Sequence, residues 1–144
     1  MLVQIVLGAG LLLVSIMIAG VSFWAMDRVL LRVRPWLMRA PHAPKLLAVL
    51  VTTAVWILAQ LTVGVWLWAL TFVALDIFAT LEEAVYFALV VFTTLGFGDI
   101  LLPVEWRLLG GMASLNGLLN IGLVTAVLVE TMRQIRLNQM EQGS

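Results

Sequence analysis

Three stretches of this chain carry no charged side chain and are each long enough to cross a lipid bilayer: Leu2 to Met26, Leu46 to Leu75 and Leu108 to Val129. A hydrocarbon core of about 30 Å takes roughly 20 apolar residues in helical form. Helix is the form available to a single segment, because its backbone groups bond within the segment itself. The second stretch is the longest and must tilt or project past the hydrocarbon. Charged residues make up 11% of the whole chain, against about 25% in a typical soluble domain. The first stretch has no basic segment before it and exceeds the roughly 7–15 apolar residues of a secretory signal, so it is expected to be a retained span. The expected fold is therefore an all-α membrane protein.

The charge that remains narrows the function classes. Eight basic and eight acidic residues cancel, and there is no cysteine. The balance offers nothing to nucleic acid, and disulfides, thiolate metal sites and thiol nucleophiles are excluded. His42, the single histidine, cannot build a metal cluster alone and is expected in a solvated loop. The spans hold no carboxylate, histidine or cysteine, and no nucleophile–base pair appears, which argues against an enzyme. No span carries a row of arginines, which argues against a voltage sensor.

Orientation follows from the basic residues. Between the first two spans lie Asp27, Arg28, Arg32, Arg34, Arg39 and Lys45, whereas Asp76, Glu82, Glu83, Asp99 and Glu105, with Arg107 alone opposing them, lie between the second and third. Basic loops stay in the cytoplasm. The N-terminus is thus expected outside, the 27–45 loop inside, the 76–107 segment outside and the 133–144 tail inside. Arg28, Arg32, Arg34 and Arg39 interleave with apolar residues from Val29 to Met38, a pattern that suits an interfacial helix on anionic lipid headgroups. A plain connector is the alternative. Pro35, Pro41 and Pro44 are expected to limit any helix here to short pieces.

The segment from Ala79 to Gly98 does not fit a span. Thr80-Leu81-Glu82-Glu83 reads as a capping box at a helix start, and the apolar, aromatic run that follows, to about Thr93, reaches only about 20 Å. It can enter the membrane, stop midway and return. Irregular chain at that depth must be enclosed by protein or line a water-filled path. One chain with three spans has too little protein to enclose it, so symmetric copies are implied. The short helix also aims the negative end of its dipole at the return, which favours cations.

At the return stands Thr93-Thr94-Leu95-Gly96-Phe97-Gly98-Asp99. From Thr94 to Asp99 it resembles the selectivity filter of tetrameric potassium channels, T-V-G-Y-G-D, a family whose filter replaces the ion's hydration shell with backbone carbonyls. The resemblance covers outer helix 46–75, pore helix 81–93, filter 94–98 and inner helix 107–132, and leaves out the first span, 1–26. It implies a homotetramer of three spanning helices plus a re-entrant pore helix and filter loop per subunit. It further implies K+ sites formed by the carbonyls of Thr94, Leu95, Gly96 and Phe97, with the Thr94 hydroxyl at the innermost. Gly96 and Gly98 would take backbone angles costly for other residues. Phe97 would pack outward against the pore helix, and Thr93, Asp99 and Tyr86 would support the filter, Asp99 pairing with Tyr86.

Departures are the Leu95 and Phe97 side chains, the absence of a tryptophan pair in the pore helix, and a longer loop at Ile100–Pro103. Phe97 lacks the hydroxyl that tethers the filter in relatives with tyrosine. The implied function is passive, potassium-selective conduction across the cell membrane, in a bacterium the inner one. The alternatives are a weakly selective monovalent cation channel and a non-conducting scaffold of channel-like fold. In the inner helix, Gly117 and Gly122 are candidate gating hinges or close-packing points. Asn116 and Asn120, one helical turn apart, either line the cavity or bond to neighbouring helices. The short tail is expected to leave no ligand-binding domain on this chain, so gating by lipid, pH, tension or a separate regulatory subunit stays open. K+ is the expected permeant ion, with no organic cofactor.

Overall fold

A computed structural model describes residues 1–37 and 43–142. Four α-helices account for nearly all of it: α1 (Leu2–Leu37), α2 (Ala43–Ala74), α3 (Leu81–Phe92) and α4 (Arg107–Gln142), with one 3-10 turn at Val104–Trp106. No strand occurs among the described residues. Three segments are long and apolar enough to cross a membrane: Leu2–Val33, Leu47–Ala74 and Val104–Glu130. Much of their surface is exposed leucine, valine and methionine, which in water would be a liability and in lipid is the solvated face.

Two boundaries differ from expectation. The basic segment after Met26 is not a loop: α1 runs through it to Leu37, past Pro35. Arg28, Leu30, Leu31 and Arg32 are strong helix formers, and the helix carries Pro35 in its last turn. Pro44 falls in the first turn of α2, where proline is tolerated. Similarly, α4 does not stop at Met132 but continues to Gln142, with an Arg133–Glu130 pair at 3.1 Å along its surface. Arg39, Pro41 and His42 lie outside the described residues.

The short helix α3 sits between α2 and α4. Phe72 of α2 meets Phe87 of α3 edge to face at 5.4 Å, and Phe78, from the α2–α3 turn, at 6.1 Å. Such pairs add about 0.5–1.5 kcal/mol each beyond simple burial. At the far end of α3, Phe92 is a wedge. Its ring occupies space that a Cβ on Gly64 of α2 would enter, 2.6 Å away, and its carbonyl oxygen lies 1.8 Å from where a Cβ on Gly117 of α4 would stand. Both glycines are there because nothing larger fits. Lipid gives no hydrophobic drive between helices, so close approach and dispersion hold these contacts.

The first helix packs on α4 and also bonds to α2. Gln4 Oε1 accepts the backbone N–H of Leu109 at 3.3 Å, and Asn120 Nδ2 donates to Ser15 Oγ at 3.1 Å. Trp56 Nε1 of α2 donates to Ser22 Oγ at 2.9 Å.

Candidate functional site

The loop between α3 and the 3-10 turn is built from its helix outward. Thr80 caps α3: the Glu83 N–H donates to its hydroxyl at 3.3 Å, and Glu82 and Glu83 occupy the positive first turn. A dozen apolar and aromatic residues follow, and the helix ends at Phe92, about 18 Å on. There the Thr94 N–H bonds to the Val91 carbonyl and the Leu95 N–H to the Val90 carbonyl, each at 3.0 Å. This pair of bonds is a Schellman closure with Thr94 at its left-handed position, φ +60°. Glycine is the ordinary choice there, and a β-branched residue stores strain. The Thr94 side chain is therefore retained against a local cost.

Beyond Thr94 the sign of φ alternates. Gly96 stands at +59° and Gly98 at +77°, while Leu95 and Phe97 stay negative. Alternation of this kind turns successive peptide groups the same way, unlike a strand, where they point to opposite sides. Thr94 to Gly98 are exposed on the single chain. Among the described residues, no amide donates to the carbonyls of Thr94, Leu95, Gly96 or Phe97. The amides on the α3 side of the turn are used to close that helix, and the following carbonyls are left free.

The outer end of the loop is tied down. The Tyr86 hydroxyl donates to Asp99 Oδ2 at 2.5 Å, and the Ile100 N–H donates to Asp99 Oδ1 at 3.1 Å. The bond from Tyr86 holds the Asp99 carboxyl below its ordinary value of 3.8, and the same bond raises the Tyr86 phenol above 10.0. Asp99 is depressed in the folded state, so its contribution is present above pH 3.8 and is lost only as pH falls through the lower native value. Tyr86 is the only tyrosine, so its titration is read directly by ultraviolet absorbance. Phenolate is expected to form with a midpoint above 10.0, and Asp99→Asn to lower that midpoint. A wild-type midpoint at or below 10.0 would show that the tie does not form.

Thr93 closes the helix end from its own side chain, donating to the Leu89 carbonyl at 2.8 Å. On the single chain Phe97 is 66% exposed and Leu95 is 58% exposed. The fold directs both outward, and no surface of the same subunit covers them. Of the two readings for Asn116 and Asn120, cavity lining and bonding to a neighbouring helix, the structure shows the second. Both are buried, and Asn120 Nδ2 donates to the Asn116 side-chain and backbone oxygens, each at 2.9 Å, as well as to Ser15. Asn120 is satisfied this way, whereas Asn116 Nδ2 is buried without a hydrogen-bond partner. The exposed face of α4 carries Leu115, Leu118 and Gly122 instead. Gly117 is a packing glycine against Phe92, whereas nothing lies within 4 Å of a Cβ at Gly122.

Sequence reasoning missed the partners of α1. Their signal was present: Gln4, Gly8, Ser15, Ala19 and Ser22 recur at helical spacing along one face of an otherwise bulky apolar run.

A single short helix, a loop of free carbonyls and flanking helices long enough to span form one unit within the stretch that the family model described as ion channel matches, residues 46–134. Comparison with curated proteins and with solved structures returned no match. The model covers more than half of the chain, and the protein belongs to the ion channel family.

Proposed function

We propose that the protein is a potassium-selective channel, a homotetramer that passes K+ down its gradient through the loop Thr94–Gly98. The observation that carries this reading is the run of four unpaired carbonyls, Thr94 to Phe97, on a backbone whose φ alternates in sign. Free carbonyls at membrane depth need protein or water-borne partners. A dehydrated monovalent cation on a symmetry axis supplies one, taking oxygens from each subunit. The strained Thr94 then has a purpose: its hydroxyl completes the innermost K+ site. Thr93, Tyr86 and Asp99 hold the two ends of the loop.

Symmetric copies also explain the uncovered side chains. Phe97 and Leu95 lie bare on one subunit and would be buried against the next. The C-terminal end of α3 points its partial negative charge toward the inner side of the loop, favouring cations there. Leu115, Leu118 and Gly122, on the free face of α4, are assigned to the cavity in place of Asn116 and Asn120. The basic side of the protein is assigned to the cytoplasm and the loop to the outer face of the cell membrane. Arg28 lies 4.5 Å over the Trp24 ring, an arrangement suited to the headgroup layer, where Arg28 and Arg32 would meet anionic lipid.

A weakly selective cation channel is the second reading. It is favoured by one observation, the absence of a hydroxyl at the exposed Phe97, which leaves the filter without a tether there. Reversal potentials of the reconstituted protein, with K+ on one side and Na+ on the other, decide between the two. A strongly K+-directed reversal is expected. A reversal near zero would establish the second reading, and no current at all would indicate a scaffold.

A further inference from the structure

We propose that α1 is a built-in brace of α4: it holds the inner helix rigid from Leu109 to Asn120 and so sets the point of bending at Gly122. The inference rests on the channel reading only for what the bend accomplishes. The brace itself stands on packing. α1 lies outside the stretch that the family match covers, 46–134, so the pore region does not account for it.

Its bonds to α4 keep one register. Gln4 to Leu109 and Ser15 to Asn120 are each separated by 105 residues, so the two helices run side by side in the same direction. Leu109 lies in the first turn of α4, where backbone N–H groups lack partners within the helix. Gln4, on another helix, supplies the missing acceptor. Between the two bonds, Gly8 opens room for Met112, whose sulfur lies 2.4 Å from where a Gly8 Cβ would stand. At the lower bond, Asn120 grips Ser15 and Asn116 together, which fastens a full turn of α4 to α1. Gly117 within that turn is pressed against the Phe92 carbonyl. Bending there would have to break both contacts.

Gly122 comes two residues below the last bond. It is exposed, no atom lies within 4 Å of its Cβ position, and glycine is among the weakest helix formers. The rigid and the yielding parts of α4 thus meet between Asn120 and Gly122. Ser15, Gln4 and Gly8 act as positioning residues for the inner helix and touch no permeant ion.

The test is hydrogen–deuterium exchange of the full-length protein in lipid vesicles, with single-channel recording from the same preparation. Amides from 109 to 120 are expected to exchange slowly, with a step up beginning at 122. Ser15→Ala removes one interhelical bond and is expected to speed exchange in 117–120 about threefold, the average worth of such a bond in a membrane, with the K+/Na+ reversal potential unmoved. Gly122→Ala is expected to flatten the step and lower open probability. Uniform exchange across Gly122, or a Ser15→Ala profile identical to wild type, would overturn the brace. A protein that passes no current yet shows the step and its response to Ser15→Ala would retain the brace and lose the channel reading.

Discussion

Replacing Gly117 with alanine is expected to abolish the assembled protein. An added methyl would stand 1.8 Å from the Phe92 carbonyl oxygen and 2.6 Å from its carbonyl carbon. Both are backbone atoms at the end of α3, so no rotamer change relieves the clash. Either α4 moves away from α3 or the last turn of α3 unwinds. Overpacking of a tight core typically costs 1–3 kcal/mol, and occasionally more. Here the obstacle is rigid and the loop begins two residues later, so about 3 kcal/mol or more is expected in every subunit. The thermal midpoint in detergent should fall sharply, with loss of the oligomer on size-exclusion chromatography. Gly122→Ala is the control: its Cβ meets open space, and alanine is the better helix former by about 1 kcal/mol. Equal midpoints for Gly117→Ala and wild type would show that α3 and α4 do not approach as described.

Gly96→Ala is expected to leave the fold intact and remove conduction. The φ of Gly96 is +59°, and no atom lies within 4 Å of its Cβ position. The cost is therefore conformational rather than steric. A left-handed angle costs an L-residue roughly 1–2 kcal/mol. In the proposed homotetramer the cost recurs in each subunit, so four copies together cost about 4 kcal/mol at the least. That is about a thousandfold fewer filters with every carbonyl in place. K+ flux in proteoliposomes should fall at least a hundredfold, by the same arithmetic with margin, while the thermal midpoint stays near wild type. Undiminished flux would remove residues 94–98 from the pathway.

The spans were legible because lipid imposes a simple rule: a charge-free run of sufficient length must become a helix. The cap of α3 was equally legible, since Thr80 and Glu83 carry the pattern in their side chains. Tyr86 and Asp99 are brought together as the resemblance implied, from 13 positions apart in the chain. The end of the basic segment was not legible. Prolines at 35, 41 and 44 suggested a broken loop, but α1 carries Pro35 in its last turn, and Pro44 falls in the first turn of α2, where its missing N–H costs nothing. The roles of Asn116, Asn120 and Gly117 were left as alternatives for a physical reason. Helical spacing places them on one side of α4, but which neighbour that side meets depends on how α1 and α3 dock. Docking was decided by small residues, Gly8, Gly64 and Gly117, whose significance lies in what they fail to occupy.

The central claim is that symmetry-related copies of the loop present backbone oxygens to a dehydrated K+ ion. A density map of the reconstituted protein in potassium salt tests it most directly. The account predicts fourfold symmetry, with the carbonyls of Thr94 to Phe97 surrounding ion density on the axis and Phe97 buried against the adjacent subunit. A dimer or trimer, or residues 94–98 wound into continuous helix away from any axis, would contradict it.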